Sequence, residues 1–154
     1  MTQHRDNATR TKARKGALDI AYESELRERS LAETLADRIA LAPVRPFTIE
    51  LVNGVAEHGS ALDAVLAASL TGGWAFDRLA RIDRNLARIA LFEIAHTDTP
   101  APVAIKEAVD LAAKLSTPDS PAFLNAVLSA AAARLAASDS EEGADVAPGD
   151  PEDE

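Results

Sequence analysis

Apolar residues recur along most of this chain at the three- and four-residue spacing of a helix. Nowhere do they follow the two-residue alternation of a half-buried strand. The spacing predicts a first helix from about Thr9 to Glu28, with Ala13, Ala17, Leu18, Ala21, Tyr22 and Leu26 on one face. Ser30 opens a second helix, because Ser30-Leu-Ala-Glu33 has the form of a capping box, and Leu31, Leu35 and Ile39 supply its stripe. Pro43 and Pro46 end that helix and begin the next, since proline suits a first helical turn. Phe47, Leu51 and Val55 follow at four-residue steps. Gly59-Ser60 predicts a break, with Ser60 and Asp63 opening a further helix striped by Leu62, Val65, Leu66 and Leu70.

Gly72-Gly73 is a stop, and Trp74 to Leu79 reads as a loop or short turn packed by Trp74 and Phe76. A helical stripe resumes with Ile82, Leu86, Ile89, Ala90, Glu93 and Ile94, and Thr97 to Pro102 interrupts it. Val103, Ile105, Ala108, Val109, Leu111, Ala112 and Leu115 define the next helix. Ser116 to Pro121 is a turn and N-cap cluster. Phe123, Val127, Leu128, Ala131 and Leu135 mark the last helix. The pattern predicts an all-α bundle of about seven helices. Gly72-Gly73 is expected as a seam between halves of about residues 9–71 and 74–137, after a flexible terminus at 1–8.

Composition changes this picture at the chain's end. The chain has 154 residues, 47% hydrophobic but only 4% aromatic, and a formal net charge of -9. Eight of the acids lie in residues 138–154, leaving 17 acids against 16 bases in the rest. That tail has little apolar content and is expected to be disordered. The body is nearly neutral, so the net charge does not exclude a nucleic-acid partner, and a local patch decides instead.

Such a patch lies at Arg10, Lys12, Arg14 and Lys15, close to the predicted start of the first helix. Cations there oppose the helix macrodipole. The placement makes sense if an anion docks, and a phosphate backbone is the obvious one. The acidic tail is also a candidate to lie over this patch in place of RNA.

Other chemistry is thin. The absence of cysteine excludes disulfides and thiolate sites. No phosphate loop, dinucleotide fingerprint, G-x-S-x-G or H-E-x-x-H motif occurs. His4, His58 and His96 have no metal-ligand spacing, so neither catalysis, a metal nor a cofactor is expected. The polar N-terminus predicts no secretory signal, and no run approaching ~18 apolar residues predicts a membrane span. A cytoplasmic protein is the expectation.

Four stretches carry a family resemblance: Arg10 to Tyr22, Ile82 to Ile94, Pro102 to Lys114, and Asp119-Ser-Pro-Ala-Phe-Leu-Asn-Ala-Val-Leu128. Together, over about residues 9–136, the chain resembles the NusB family of bacterial transcription antitermination factors. The resemblance implies two three-helix subdomains with a connecting helix. It implies binding to boxA-type RNA of ribosomal RNA leaders, a heterodimer with NusE, and delivery of the pair to elongating RNA polymerase. It adds Asp119 and Phe123 to Arg10, Lys12, Arg14 and Lys15 as RNA-binding candidates. It also puts the helix of Asp83, Arg84 and Arg88 near the NusE contact, with Tyr22 and Asp83 as partner-binding candidates.

Simpler roles stand beside these. Asp119 and Ser120 are natural N-caps, Asp83 is a favourable first-turn acid, and Phe123 either fills core or stacks on a base. The expectation is a partly exposed Phe123 ring on the same side as the basic patch. The chain departs from the family at Ala126, where glycine is usual, and at Thr11, where some relatives carry another arginine. The alternatives are a NusB-like accessory domain of an RNA-modifying enzyme and a homodimeric interaction module.

Overall fold

The computed structural model describes residues 2–72 and 74–144, with side chains from 7 to 140. The described residues form α1 (Thr2–Leu26), α2 (Leu31–Leu41), α3 (Pro46–Ser69), a 3-10 turn (Phe76–Arg78), α4 (Arg81–His96), α5 (Ala101–Leu115) and α6 (Ser120–Ala144). No strand occurs among them.

Local chemistry explains most boundaries. The Glu33 N–H donates to Ser30 Oγ at 3.1 Å, which caps α2. Pro46 occupies the first turn of α3. The end of α1 is a left-handed turn at Glu28 (φ 53°), where the Arg29 N–H reaches back to the Ser24 carbonyl at 3.0 Å. Gly72 adopts φ 69° just after α3.

The expected break at Gly59-Ser60 is absent, because α3 runs through it. Leu51, Val55, Leu62 and Leu66 form one buried stripe at helical spacing. Burying that stripe outweighs the ~1 kcal/mol that a mid-helix glycine costs. At the other end of the chain α6 continues to Ala144, beyond the expected start of the disordered tail at 138. Residues 145–154 lie outside the described residues, as does Gly73. The expectation of no membrane-length run also needs correction. Ser120–Ser140 is long and apolar enough, by length and composition alone, to cross a membrane. Much of that apolar share is alanine, and Leu124, Val127, Leu128 and Ala131 are buried in the bundle.

The core is built around α4, which lies against α1, α3, α5 and α6. One buried cluster runs from Ala17 and Leu18 of α1 through Leu86, Ile89 and Leu91 of α4 to Leu124 and Leu128 of α6. Helices α3 and α4 leave no room at Gly54, where an added Cβ would sit 2.1 Å from the Phe92 ring. That ring is itself buried and has no free direction in which to retreat. Gly54→Ala is therefore expected to lower stability by about 1–3 kcal/mol through overpacking, despite alanine's better helix propensity. A denaturant midpoint at or above that of the unaltered protein would contradict the packing described.

The middle of α3 and the C-terminal end of α4 also meet in a stack of rings. The His58 and His96 centroids are 3.9 Å apart, and Phe92 lies 5.5 Å from His96. Burial pushes the His96 imidazole below its ordinary value and His58 adds to the shift, while Glu57 opposes it. The folded protein thus favours neutral His96, and the unfolded chain takes the proton first as pH falls. His96 should contribute stability above about pH 6.5 that is lost as pH drops towards its lowered value. Denaturation at about pH 7.5 and 5.5 should show a shallower fall for His96→Asn than for the unaltered chain.

Candidate functional site

Helix α1 begins at Thr2 and not near Thr9, so the basic cluster lies within α1 rather than at its start, contrary to expectation. The cluster divides into an exposed and a buried part. Arg10 and Lys12 are exposed, and Lys15 is exposed beside Asp19 at 3.0 Å. Arg14 is only 4% exposed. Its guanidinium donates to Glu93 through Nη2 at 2.7 Å and Nε at 2.9 Å, and its Nη1 lies 3.5 Å from Glu107. Arg14 is therefore a brace between α1, α4 and α5 and not a free phosphate ligand, which corrects the reading from sequence. Helical spacing put all four cations together, but the inward face of α1 carries position 14 with Ala13, Ala17 and Leu18. Thr11 donates to Glu107 at 2.9 Å and belongs to the same brace.

A second cluster forms where the start of α4 meets the start of α6. Asp83 is 6% exposed; its Oδ1 accepts from Ser116 at 2.6 Å and its Oδ2 from Ser120 at 2.8 Å. Ser120 Oγ in turn accepts the Thr117 N–H at 3.2 Å. Asp83 thus fixes the turn before α6 and presents no carboxylate to a partner, contrary to expectation. Burial next to two hydroxyls explains its position better than a contact surface does.

That turn holds Asp119 and Phe123 at the surface. The Asp119 carbonyl accepts the Phe123 N–H at 3.1 Å, and the Asp119 side chain is exposed. Phe123 is half-buried against the core. Its ring lies 5.8 Å from that of Trp74, tilted by 44°. Both rings line a cleft of about 370 Å³ with Arg78 and Asp119. Trp74 is 59% exposed, so it is not the packing residue that the sequence suggested. Its position after two glycines and outside any apolar stripe was the available signal.

The expected neighbourhood of Phe123 and the basic patch is not what the fold builds. Arg14 is joined to Glu93 and Ser120 to Asp83, at opposite ends of α4. Positions 83 and 93 are ten residues apart, or about 15 Å along the helix.

Tyr22 and Leu26 are exposed, four residues apart on α1. The Arg81 guanidinium lies 5.7 Å from the Tyr22 ring. Beneath them Glu25 gathers Arg81 at 2.9 Å, Arg84 at 2.8 Å and Arg88 at 3.3 Å, and Asp63 takes Arg88 at 2.6 Å. Arg84 and Arg88 are thereby tied down within the protein. Tyr22 with Leu26 is the part of this corner that another chain can reach.

A helical bundle with cationic, aromatic and apolar surface features at separate places has the form of a binding protein. The NusB family profile matches residues 11–133. A transcription antitermination protein NusB of Cutibacterium acnes is 49% identical over 130 residues, or 83% of this chain and 50% of that protein. The chain thus spans about half the length of that relative. One of Salinispora arenicola is 46% identical over 125 residues, covering 77% of this chain and 91% of that protein. Among solved structures, T. maritima NusB superposes with a TM-score of 0.73 at 26% identity, covering 86% of this chain and 96% of that one. A crystal structure of the antitermination factors NusB and NusE in complex with dsRNA gives 0.69 at 24% identity, covering 81% and 96%. The chain belongs to the NusB family.

The brace has a testable cost. Arg14→Ala would leave Glu93, 1% exposed, as a buried charge without its ion partner. A loss of about 3–5 kcal/mol is expected, seen as a lower melting temperature without any RNA present. A near-neutral effect would return Arg14 to the surface patch.

Proposed function

We propose that this protein is a non-catalytic, cytoplasmic RNA-binding antitermination factor. In this reading it takes a boxA-type single strand of ribosomal RNA leaders together with NusE, and the pair acts on elongating RNA polymerase. The observation that carries the reading is the pairing of the exposed Trp74 ring with the half-buried Phe123 ring in a cleft beside Arg78. Unpaired bases stack on such rings. Membership of the NusB family supports it, as does the fold shared with a NusB that is in complex with NusE and dsRNA.

The division of labour follows from exposure. Arg10, Lys12 and Lys15 gather phosphates at one end, while Phe123 and Trp74 hold bases at the other. Asp119 borders that cleft and shapes which base enters. Tyr22 and Leu26 offer NusE an apolar contact on a corner stiffened by Glu25 and its arginines. Arg14 and Asp83 act from within, by holding α1 and α6 in place.

The test is binding of a labelled boxA-type RNA by fluorescence anisotropy, with and without NusE and across salt. Phe123→Ala should weaken binding by about 1–3 kcal/mol, with less loss of stability than the ~3–5 kcal/mol of a fully buried phenylalanine. Replacing Arg10 and Lys12 with alanine should reduce the salt slope by about 0.7 for each phosphate no longer neutralised. Unchanged affinity in both variants would rule the reading out.

A further inference from the structure

A second cavity, of about 500 Å³, lies between α1 and the start of α3, lined by Asn7, Thr9, Arg10, Arg45 and Phe47. Its volume falls in the range of small-ligand sites. We infer that it takes one nucleotide of a single-stranded RNA, with the phosphate between Arg10 and Arg45 and the base against Arg10. This rests on the RNA-binding reading above and adds Arg45 and Phe47, which neither motif nor resemblance singled out as ligands.

Phe47 is the anchor of the site. The Arg10 guanidinium lies 4.7 Å from the centre of its ring and that of Arg14 lies 5.5 Å away. Arg14 is immobilised by Glu93, so the ring is backed by a fixed group. Phe47 in turn steadies the Arg10 guanidinium by cation–π attraction. A guanidinium held over a ring presents a planar surface on which a base stacks and N–H edges that donate to a phosphate.

Charge pairing points the same way. Arg27, Arg29, Arg38, Arg81, Arg84 and Arg88 each meet a carboxylate. Among the described residues Arg10, Arg45, Arg78 and Arg134 do not, and of these four Arg10 and Arg45 line one cavity. A carboxylate peptide would use the two charges but not the stacking face, so a nucleotide satisfies more of the site. The cavity lies towards the Arg14 end of α4 and the Phe123 cleft towards the Asp83 end, and the two anchoring positions on that helix are about 15 Å apart along its axis. At about 3.4 Å per nucleotide of a stacked strand, one RNA reaching both spans roughly four nucleotides or more.

The experiment uses the full chain, a single-stranded boxA-type RNA of at least that length, and AMP as the free-nucleotide probe. Arg45 is exposed, so Arg45→Ala should fold normally; Phe47→Leu, at a half-buried position, is read only alongside its melting temperature. Arg45→Ala should weaken RNA binding about tenfold and reduce the salt slope by about 0.7. Arg134→Ala, an exposed arginine of α6, should change affinity less and serves as the charge control. If Arg45→Ala matches the Arg134→Ala control while Phe123→Ala weakens binding, the cavity inference fails and the RNA reading stands. If the unaltered protein binds no RNA, both fail. If AMP binds as tightly as the RNA and Arg45→Ala removes it, the site is for a free nucleotide and its assignment to RNA is overturned.

Discussion

The buried pairing of Arg14 with Glu93 is the constraint on which the functional surface depends. Removing two charges from water is costly, and their attraction compensates only with good geometry and further hydrogen bonds. Both conditions are met. The guanidinium reaches both carboxylate oxygens of Glu93, Thr99 donates to Glu93 at 3.2 Å, and Glu107 approaches the other side of Arg14. Such a pair tolerates little sliding of α1 along α4. It therefore sets where Arg10, one turn earlier on α1, leaves the bundle. It also fixes the Phe47 ring on which Arg10 rests.

A matching polar device stands at the other end of α4. Asp83, Ser116 and Ser120 bind one another where α4, α5 and α6 come together. Between the two devices α4 is apolar on most of its circumference, with Leu86, Ile89, Ala90 and Leu91 all buried. The helix thus works as a rod with a polar lock at each end. The surface features of interest hang from those locks: the exposed cations of α1 from one, and the aromatic cleft from the other. The arrangement suits a protein that binds through several modest surface contacts at fixed spacing rather than through one deep pocket.

Helix limits were legible wherever a local cause sets them. The serine that caps α2, the prolines between α2 and α3, and the glycines after α3 act within a few residues of themselves. Gly59 misled because its local penalty is small and the stripe that crosses it is long. Its consequence depends on whether Leu62 and Leu66 find a core, which is a tertiary matter. The candidate site followed the same rule. Arg10 and Lys12 were recognised as surface cations and are exposed, and Phe123 was recognised as lying between core and solvent.

By itself, the sequence determined the all-helical class, most helix ends and the family, because periodicity, caps and motif spacing are properties of neighbouring residues. Only the tertiary structure decided which charges are available. Arg14 and Arg10 lie four residues apart on one helix and look alike as sequence. Glu93 is 79 residues from Arg14, and its approach is what buries one cation and leaves the other in solvent. Asp83 was withdrawn from the surface in the same way by Ser116 and Ser120, and Trp74 was placed there because no helix covers it. Burial is set by what arrives from far along the chain, and residue spacing carries no record of that arrival.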